Sequence, residues 1–122
     1  MSQSVDSAEG DAASVAECYF AAVRSGDLAV ADLFHDDGVL IGLGRRTEGR
    51  DAIRTFYAES IATGGPQPRL AGPLLTDGKR VAAEIYIDLS DGSTMHVMDL
   101  FLVEEGKIRS LHYFVADEPA GH

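Results

Sequence analysis

The sequence predicts an α+β domain in which helices come first and a curved antiparallel sheet follows. Three observations carry that expectation. Apolar residues recur at helical spacing between about residues 11 and 62. They alternate at strand spacing between about residues 69 and 116. Three acidic–glycine pairs, Asp77-Gly78, Asp91-Gly92 and Glu105-Gly106, divide that second stretch. Such pairs between apolar runs mark tight hairpins, whose turns need positive φ.

Asp11 is placed to cap a first helix running to Arg24, with Ser25-Gly26 ending it. Its apolar stripe is Val15, Cys18, Tyr19, Ala22 and Val23, the spacing of one helical face. Asp27 caps a second, short helix through Phe34. Asp36-Asp37-Gly38 reads as a turn, Val39-Leu40-Ile41 as a short buried strand, and residues 45–49 as a polar loop. A third helix is expected from about Arg50 to Ala62, with stripe Ile53, Phe56, Tyr57, Ser60 and Ile61. Gly64-Gly65-Pro66 ends it. Strands follow near residues 69–75, 80–89, 94–103 and 108–115, a four-stranded antiparallel meander. One domain over residues 11–116 is expected, between loose tails at 1–10 and 117–122.

The 122 residues suit one domain, and 45% apolar content marks a globular chain. At this length folding hides about two-thirds of the unfolded surface, enough for one core. Ten Lys and Arg against twenty Asp and Glu give a net charge of −10. Nucleic acid and anionic membrane surfaces attract basic patches, so neither is an expected partner. The single cysteine, Cys18, cannot form an internal disulfide, and its place on the helical stripe reads as a buried small hydrophobe. No apolar run approaches the ~20 residues of a membrane span. The polar, acidic start lacks the features of a signal peptide. A cytoplasmic location is the expectation.

One strand carries the most informative residue. Over residues 94–103 one face bears Met95, Val97, Asp99, Phe101 and Val103, and the other Thr94, His96, Met98, Leu100 and Leu102. Both faces are largely apolar, so both should be covered. The helices cover one, and a homodimer through the sheet is the simplest cover for the other. Asp99 is then a lone carboxyl in an apolar row, where an unpartnered charge is expensive. It is either a protonated donor facing a pocket or a structural carboxylate held by a backbone group or an arginine. Tyr19 and Tyr57 lie on the inward stripes of their helices and need partners for their hydroxyls. Tyr113 alternates with Leu111 and Val115 and lines the same space.

Other chemistries find no support. His35, His96, His112 and His122 lack metal-ligand spacing, so no metal or cofactor is expected. Gly42-Leu43-Gly44 is followed by Arg45-Arg46, not by the lysine and hydroxyl of a phosphate loop. Arg45, Arg46 and Arg50 form a basic patch that reads either as a solvated loop or as a guide for an anionic substrate.

The runs Tyr19-Phe20-Ala21-Ala22-Val23-Arg24-Ser25-Gly26-Asp27-Leu28, Leu33-Phe34-His35-Asp36-Asp37 and Glu48-Gly49-Arg50-Asp51-Ala52-Ile53-Arg54-Thr55-Phe56-Tyr57 resemble the first half of ketosteroid isomerases. Met98-Asp99-Leu100-Phe101, followed by Glu105-Gly106-Lys107-Ile108, resembles the second half. These motifs belong to the NTF2-like superfamily, which also holds SnoaL-type polyketide cyclases and limonene epoxide hydrolases. The resemblance implies an NTF2-like cone: a curved sheet wrapped on three N-terminal helices around an apolar pocket. It also implies an oxyanion hole at Tyr19 and Asp99, supported by Tyr57; a raised carboxyl pKa in such a hole is a known property of that enzyme. The isomerase's general-base aspartate matches a position at or beside Gly42, where this chain has no carboxylate. A glycine cannot move a proton from carbon.

The expected function is a pocket protein for an apolar carbonyl- or phenol-bearing molecule of steroid or polyketide type, with weak or no isomerase activity. Leu40, Gly42, Phe56, Val97, Phe101, Leu111, Tyr113 and Val115 are the expected walls. Two alternatives stand beside it. One is a cyclase, hydrolase or dehydratase taking its base from Glu84, Asp88 or His96. The other is a non-catalytic dimeric interaction module.

Overall fold

The computed structural model describes residues 3–116, with side chains from residue 12 onward. The elements are α1 (Gln3–Ser25), a 3-10 helix (Leu28–Leu33), β1 (Phe34–Gly42), β2 (Arg45–Glu48), α2 (Arg50–Ala62), β3 (Gln67–Leu70), β4 (Leu75–Thr76), β5 (Arg80–Asp88), β6 (Thr94–Glu104) and β7 (Lys107–Val115). Three helices pack on one curved seven-stranded sheet of order β2-β1-β7-β6-β5-β3, with β4 beside β5. This is the expected α+β cone. The C-terminal stretch 117–122 lies outside the described residues.

α1 starts at Gln3, upstream of Asp11, so Asp11 lies inside the helix and residues 3–10 extend it. Its buried face is Ala12, Val15, Ala16, Tyr19, Phe20 and Val23. Cys18, expected on that face, is exposed. It stands about 200° around the helix from Ala16, at 100° per residue, and so points away from the sheet. Gly26 ends the helix with φ of 66°, its N–H bonding the Val23 carbonyl at 3.1 Å. The Asp27 carboxylate accepts from the Ala29 N–H at 2.9 Å and starts the 3-10 turn. α2 keeps the expected bounds and buries Ile53 and Tyr57.

The first strand is longer than expected. The acidic Asp36-Asp37-Gly38 segment is not a free turn but part of β1, whose register shifts between Phe34 and Val39. The expected loop at 45–49 is strand β2, folded back on β1 through Leu43 (φ 53°) and Gly44 (φ 74°). Two successive positive φ values match the right-handed twist of a hairpin. The expected strand near 69–75 is split into β3 and β4, both paired with β5.

All strand pairs but one are antiparallel. β1 lies parallel to β7, with Leu40 opposite Leu111 and Gly42 opposite Tyr113. That pairing joins the helical half to the last strand and closes one side of the cone. β6 and β7 shift register between Leu102 and Val103, and such bulges bend and twist a sheet. The core beneath is aromatic: Tyr19 and Phe20 meet Phe101 edge-on at 5.2 and 5.7 Å between ring centres. Each such contact adds about 0.5–1.5 kcal/mol beyond burial. No helix among the described residues is long and apolar enough to cross a membrane.

Candidate functional site

A cavity of about 250 Å³ opens between α1, α2 and the concave sheet. Its floor carries Tyr19, Phe20, Tyr57, Val97 and Asp99; Leu43, Phe56 and Pro66 stand toward its mouth. Leu43 is 72% exposed, which places the mouth at the β1–β2 hairpin. The walls are almost wholly apolar, so the few polar groups decide what chemistry the cavity can do.

Tyr19 and Tyr57 meet at the floor, their hydroxyl oxygens 2.6 Å apart. Both side chains are buried. The pair owns two hydroxyl protons, and the bond between them uses one. The second remains to donate into the cavity. Burial holds the Tyr19 phenol well above the usual range, and the neighbouring Tyr57 and Asp99 add to the effect. Burial raises Tyr57 as well, against the opposing pull of its bond to Tyr19. Both phenols therefore stay protonated donors at neutral pH.

Asp99 is 3% exposed and sits in the middle of β6, opposite Ala83 on one side and Tyr113 on the other. Its carboxyl has no hydrogen-bond partner among the described residues. Yet no fully enclosed side-chain oxygen or nitrogen among those residues lacks a partner. The Asp99 oxygens therefore reach the cavity surface, which they help to line. Burial pushes the carboxyl up to about 7. Burial with no cation or donor at hand favours the protonated form. Asp99 is thus tied to no backbone group or arginine among the described residues, and it faces the cavity. The two tyrosine hydroxyls, which the sequence left needing partners, partner each other.

The expected walls divide. Phe56, Val97 and Tyr113 line the cavity. Leu40, Phe101 and Leu111 do not; they are packed out of reach in the core, at 2%, 0% and 1% exposure. Val115 lies against a shallow groove shared with Met98 and Phe114, near the open end of the sheet. Gly42 is buried beneath the ring of Tyr113: a Cβ built there would stand 2.3 Å from the ring carbons. Phe20, Ile85, Ile87 and Met95 are walls that were not assigned. The inward alternation of Ile85, Ile87 and Leu89 was the signal for part of that set. For Pro66 and Pro68 the sequence held none.

The alternative bases lie elsewhere. Glu84 accepts from His96 at 2.7 Å on the opposite face of the sheet. Asp88 is tied to Arg69 at 2.9 Å and to the Thr94 hydroxyl at 2.9 Å. The basic patch also dissolves. Arg46 pairs with Glu48 at 2.7 Å, and Arg50 pairs with Asp36 at 2.8 Å while donating to the Phe34 carbonyl. Only Arg45 of the three turns to the cavity mouth, its guanidinium 5.2 Å from the Phe56 ring centre. No metal-binding cluster occurs among the described residues.

A family model for the SnoaL-like domain matches residues 16–111. Among solved structures, SalBIII, an epoxide hydrolase/cyclase-like enzyme of pyran ring formation in the polyether salinomycin, superposes with a TM-score of 0.77 at 26% identity over 88% of this chain and 92% of its own. A candidate ketosteroid isomerase from Kribbella flavida superposes at 0.79, with 22% identity over 93% and 84%. An epoxide hydrolase of LEH-like type from M. tuberculosis superposes at 0.77, with 19% identity over 88% and 84%. The chain has no match among curated proteins.

Proposed function

The chain belongs to the SnoaL-like domain family, and on that premise we propose that its cavity binds an apolar carbonyl- or phenol-bearing small molecule through an oxyanion hole. One observation carries the reading: a buried, unpartnered carboxyl opens on an apolar cavity beside a phenol pair with a proton to spare. An oxygen lodged there accepts from Asp99 and from the Tyr19–Tyr57 pair. Hydrogen bonds from a carboxylic acid and a desolvated phenol strengthen as charge grows on that oxygen. The site thus favours enolates and phenolates over neutral carbonyls.

Asp99 is the one carboxyl among the described residues that line the cavity. A proton taken from carbon needs a second group, and the position matching the isomerases' base falls at or beside Gly42, which lies under Tyr113 and carries no carboxylate. Isomerase turnover is expected to be very weak while binding persists. A second reading rests on the Asp99 carboxyl being poised near 7, where one acid both gives and takes protons. In that case the protein is a cyclase or hydrolase, the reaction types named for SalBIII, with Asp99 as its acid–base group.

Fluorescence titration of 2-naphthol into the wild type and Asp99→Asn tests the site. Binding that weakens tenfold or more in the variant, about 1.4 kcal/mol, supports it. Equal affinity for both proteins removes Asp99 from the site. No binding to either, together with unchanged stability of the variant, favours the interaction module.

A further inference from the structure

We propose that Tyr113, seated on Gly42, is the specificity-determining residue that limits this cavity to ligands of one or two rings and excludes four-ring skeletons. The inference rests on the oxygen-binding site described above and narrows its substrate class.

The cavity measures about 250 Å³. Pockets that enclose drug-sized ligands run from about 300 to 1,000 Å³. On that volume a bicyclic phenol or enone is expected to be enclosed, and a steroid nucleus with its oxygen against Asp99 to need a wall to move. The walls from β5 and α1 are backed by the core, with Ile85 and Phe20 at 1% and 2% exposure. Tyr113 differs from them. It is only partly buried, and its hydroxyl has no hydrogen-bond partner among the described residues.

What holds its ring is the missing side chain at residue 42. Gly42 and Tyr113 are register partners across the parallel β1–β7 pair, and Tyr113 also faces Asp99 across β6–β7. The ring is therefore fixed by its two neighbouring strands between the polar floor and the mouth. It lies so close to Gly42 that even a methyl group there would overlap it at 2.3 Å. The phenol fills the space over the strand in which a longer side chain, or the far end of a longer ligand, would otherwise lie. Packing rather than a hydrogen bond does this, so the ring and not the hydroxyl sets the limit.

The test uses 2-naphthol and equilenin, a four-ring steroid that contains the same naphthol. Both offer the same naphthol oxygen to Asp99; equilenin is longer and also carries a ketone at its far end. Titrations are read by ligand fluorescence on the wild type, Tyr113→Phe and Tyr113→Ala, each confirmed folded by circular dichroism. On the wild type, equilenin is expected to bind at least tenfold more weakly than 2-naphthol, despite its larger apolar area. Tyr113→Phe keeps that order, and Tyr113→Ala tightens equilenin at least tenfold with little change for 2-naphthol. Equilenin binding the wild type as tightly as 2-naphthol overturns the size limit alone, and needs no variant to fold. An unchanged equilenin affinity in Tyr113→Ala removes Tyr113 as the determinant. If neither naphthol binds any of the three proteins, the oxygen site itself fails, and the size limit with it.

Discussion

Gly42→Ala isolates the contact on which the shape of the cavity depends. Gly42 is not among the residues with positive φ, so its backbone tolerates alanine and the penalty is purely steric. The new methyl would meet three ring carbons of Tyr113 at 2.3–2.4 Å. Ordinary carbon contacts lie at about 3.5–4.0 Å, so the ring must retreat by more than ~1 Å. Overpacking of this kind costs about 1–3 kcal/mol. Against it stands a gain of about 0.4–1 kcal/mol from the stiffer unfolded chain. The net expectation is a loss of roughly 0–2.6 kcal/mol in the wild-type background. In Tyr113→Ala the ring is gone and only the gain survives, so the same change becomes mildly stabilising. The coupling between the two sites is then roughly 1–3 kcal/mol, the range of residues in direct contact. Urea unfolding of the four proteins measures it through the transition midpoints at constant slope. A Gly42→Ala shift of the same sign and size in both backgrounds would refute the argument, since the ring would then not rest on residue 42.

Asp99 makes stability depend on pH with a definite sign. Its folded pKa is raised from 3.8 to about 7, so the folded chain holds a proton that the unfolded chain releases, and stability falls as pH rises through that window. The loss approaches about 1.4 kcal/mol per pH unit within it. Asp99→Asn should therefore gain on the wild type between about pH 5 and about pH 8 in urea unfolding, and an identical difference at both would contradict the burial argument. Phenol affinity of the wild type should decline above pH about 7, as the donor proton is lost. Cys18, being exposed, is expected to react with a thiol reagent in the native protein; a thiol released only on unfolding would contradict its placement. The outer sheet face carries Met98 and Phe114 at 39% and 56% exposure, and we expect it to pair two copies. Sedimentation at micromolar concentration as a 13.0 kDa monomer would exclude that assembly.

How far the fold could be read in advance follows from whether each signal was local. The bounds of α2, the Asp27 cap and the three acidic–glycine hairpins lie in short sequence windows, and all are present. β2 escaped because Arg45-Arg46-Thr47-Glu48 shows no apolar alternation; it is an edge strand that buries only Thr47. The parallel β1–β7 pairing escaped because nothing in either strand names a partner so distant in the chain. In the site, Asp99 was legible as one acid in an apolar row, and Tyr19 and Tyr57 as phenols on inward faces. Their bond to each other, and the hold of Gly42 on Tyr113, arise from elements brought together only by folding. Cys18 departs from its expected place because the buried face of α1 runs through Ala16 and Phe20, small and aromatic residues that the Val15, Cys18, Ala22 spacing does not include.

The parallel seam between β1 and β7 has a consequence for how the protein is made. Arg109 on β7 pairs with Asp37 on β1 across 72 positions of chain. Closing a loop of that length costs on the order of 4 kcal/mol in chain entropy before any contact returns it. Tyr113 lies beyond that closure point, and the cavity has no wall on that side until β7 docks. The polar floor of the cavity, Tyr19, Tyr57 and Asp99, comes from segments made before β7, whereas the Tyr113 wall is added only when β7 docks. A chain halted before β7 should therefore carry that floor without its Tyr113 wall.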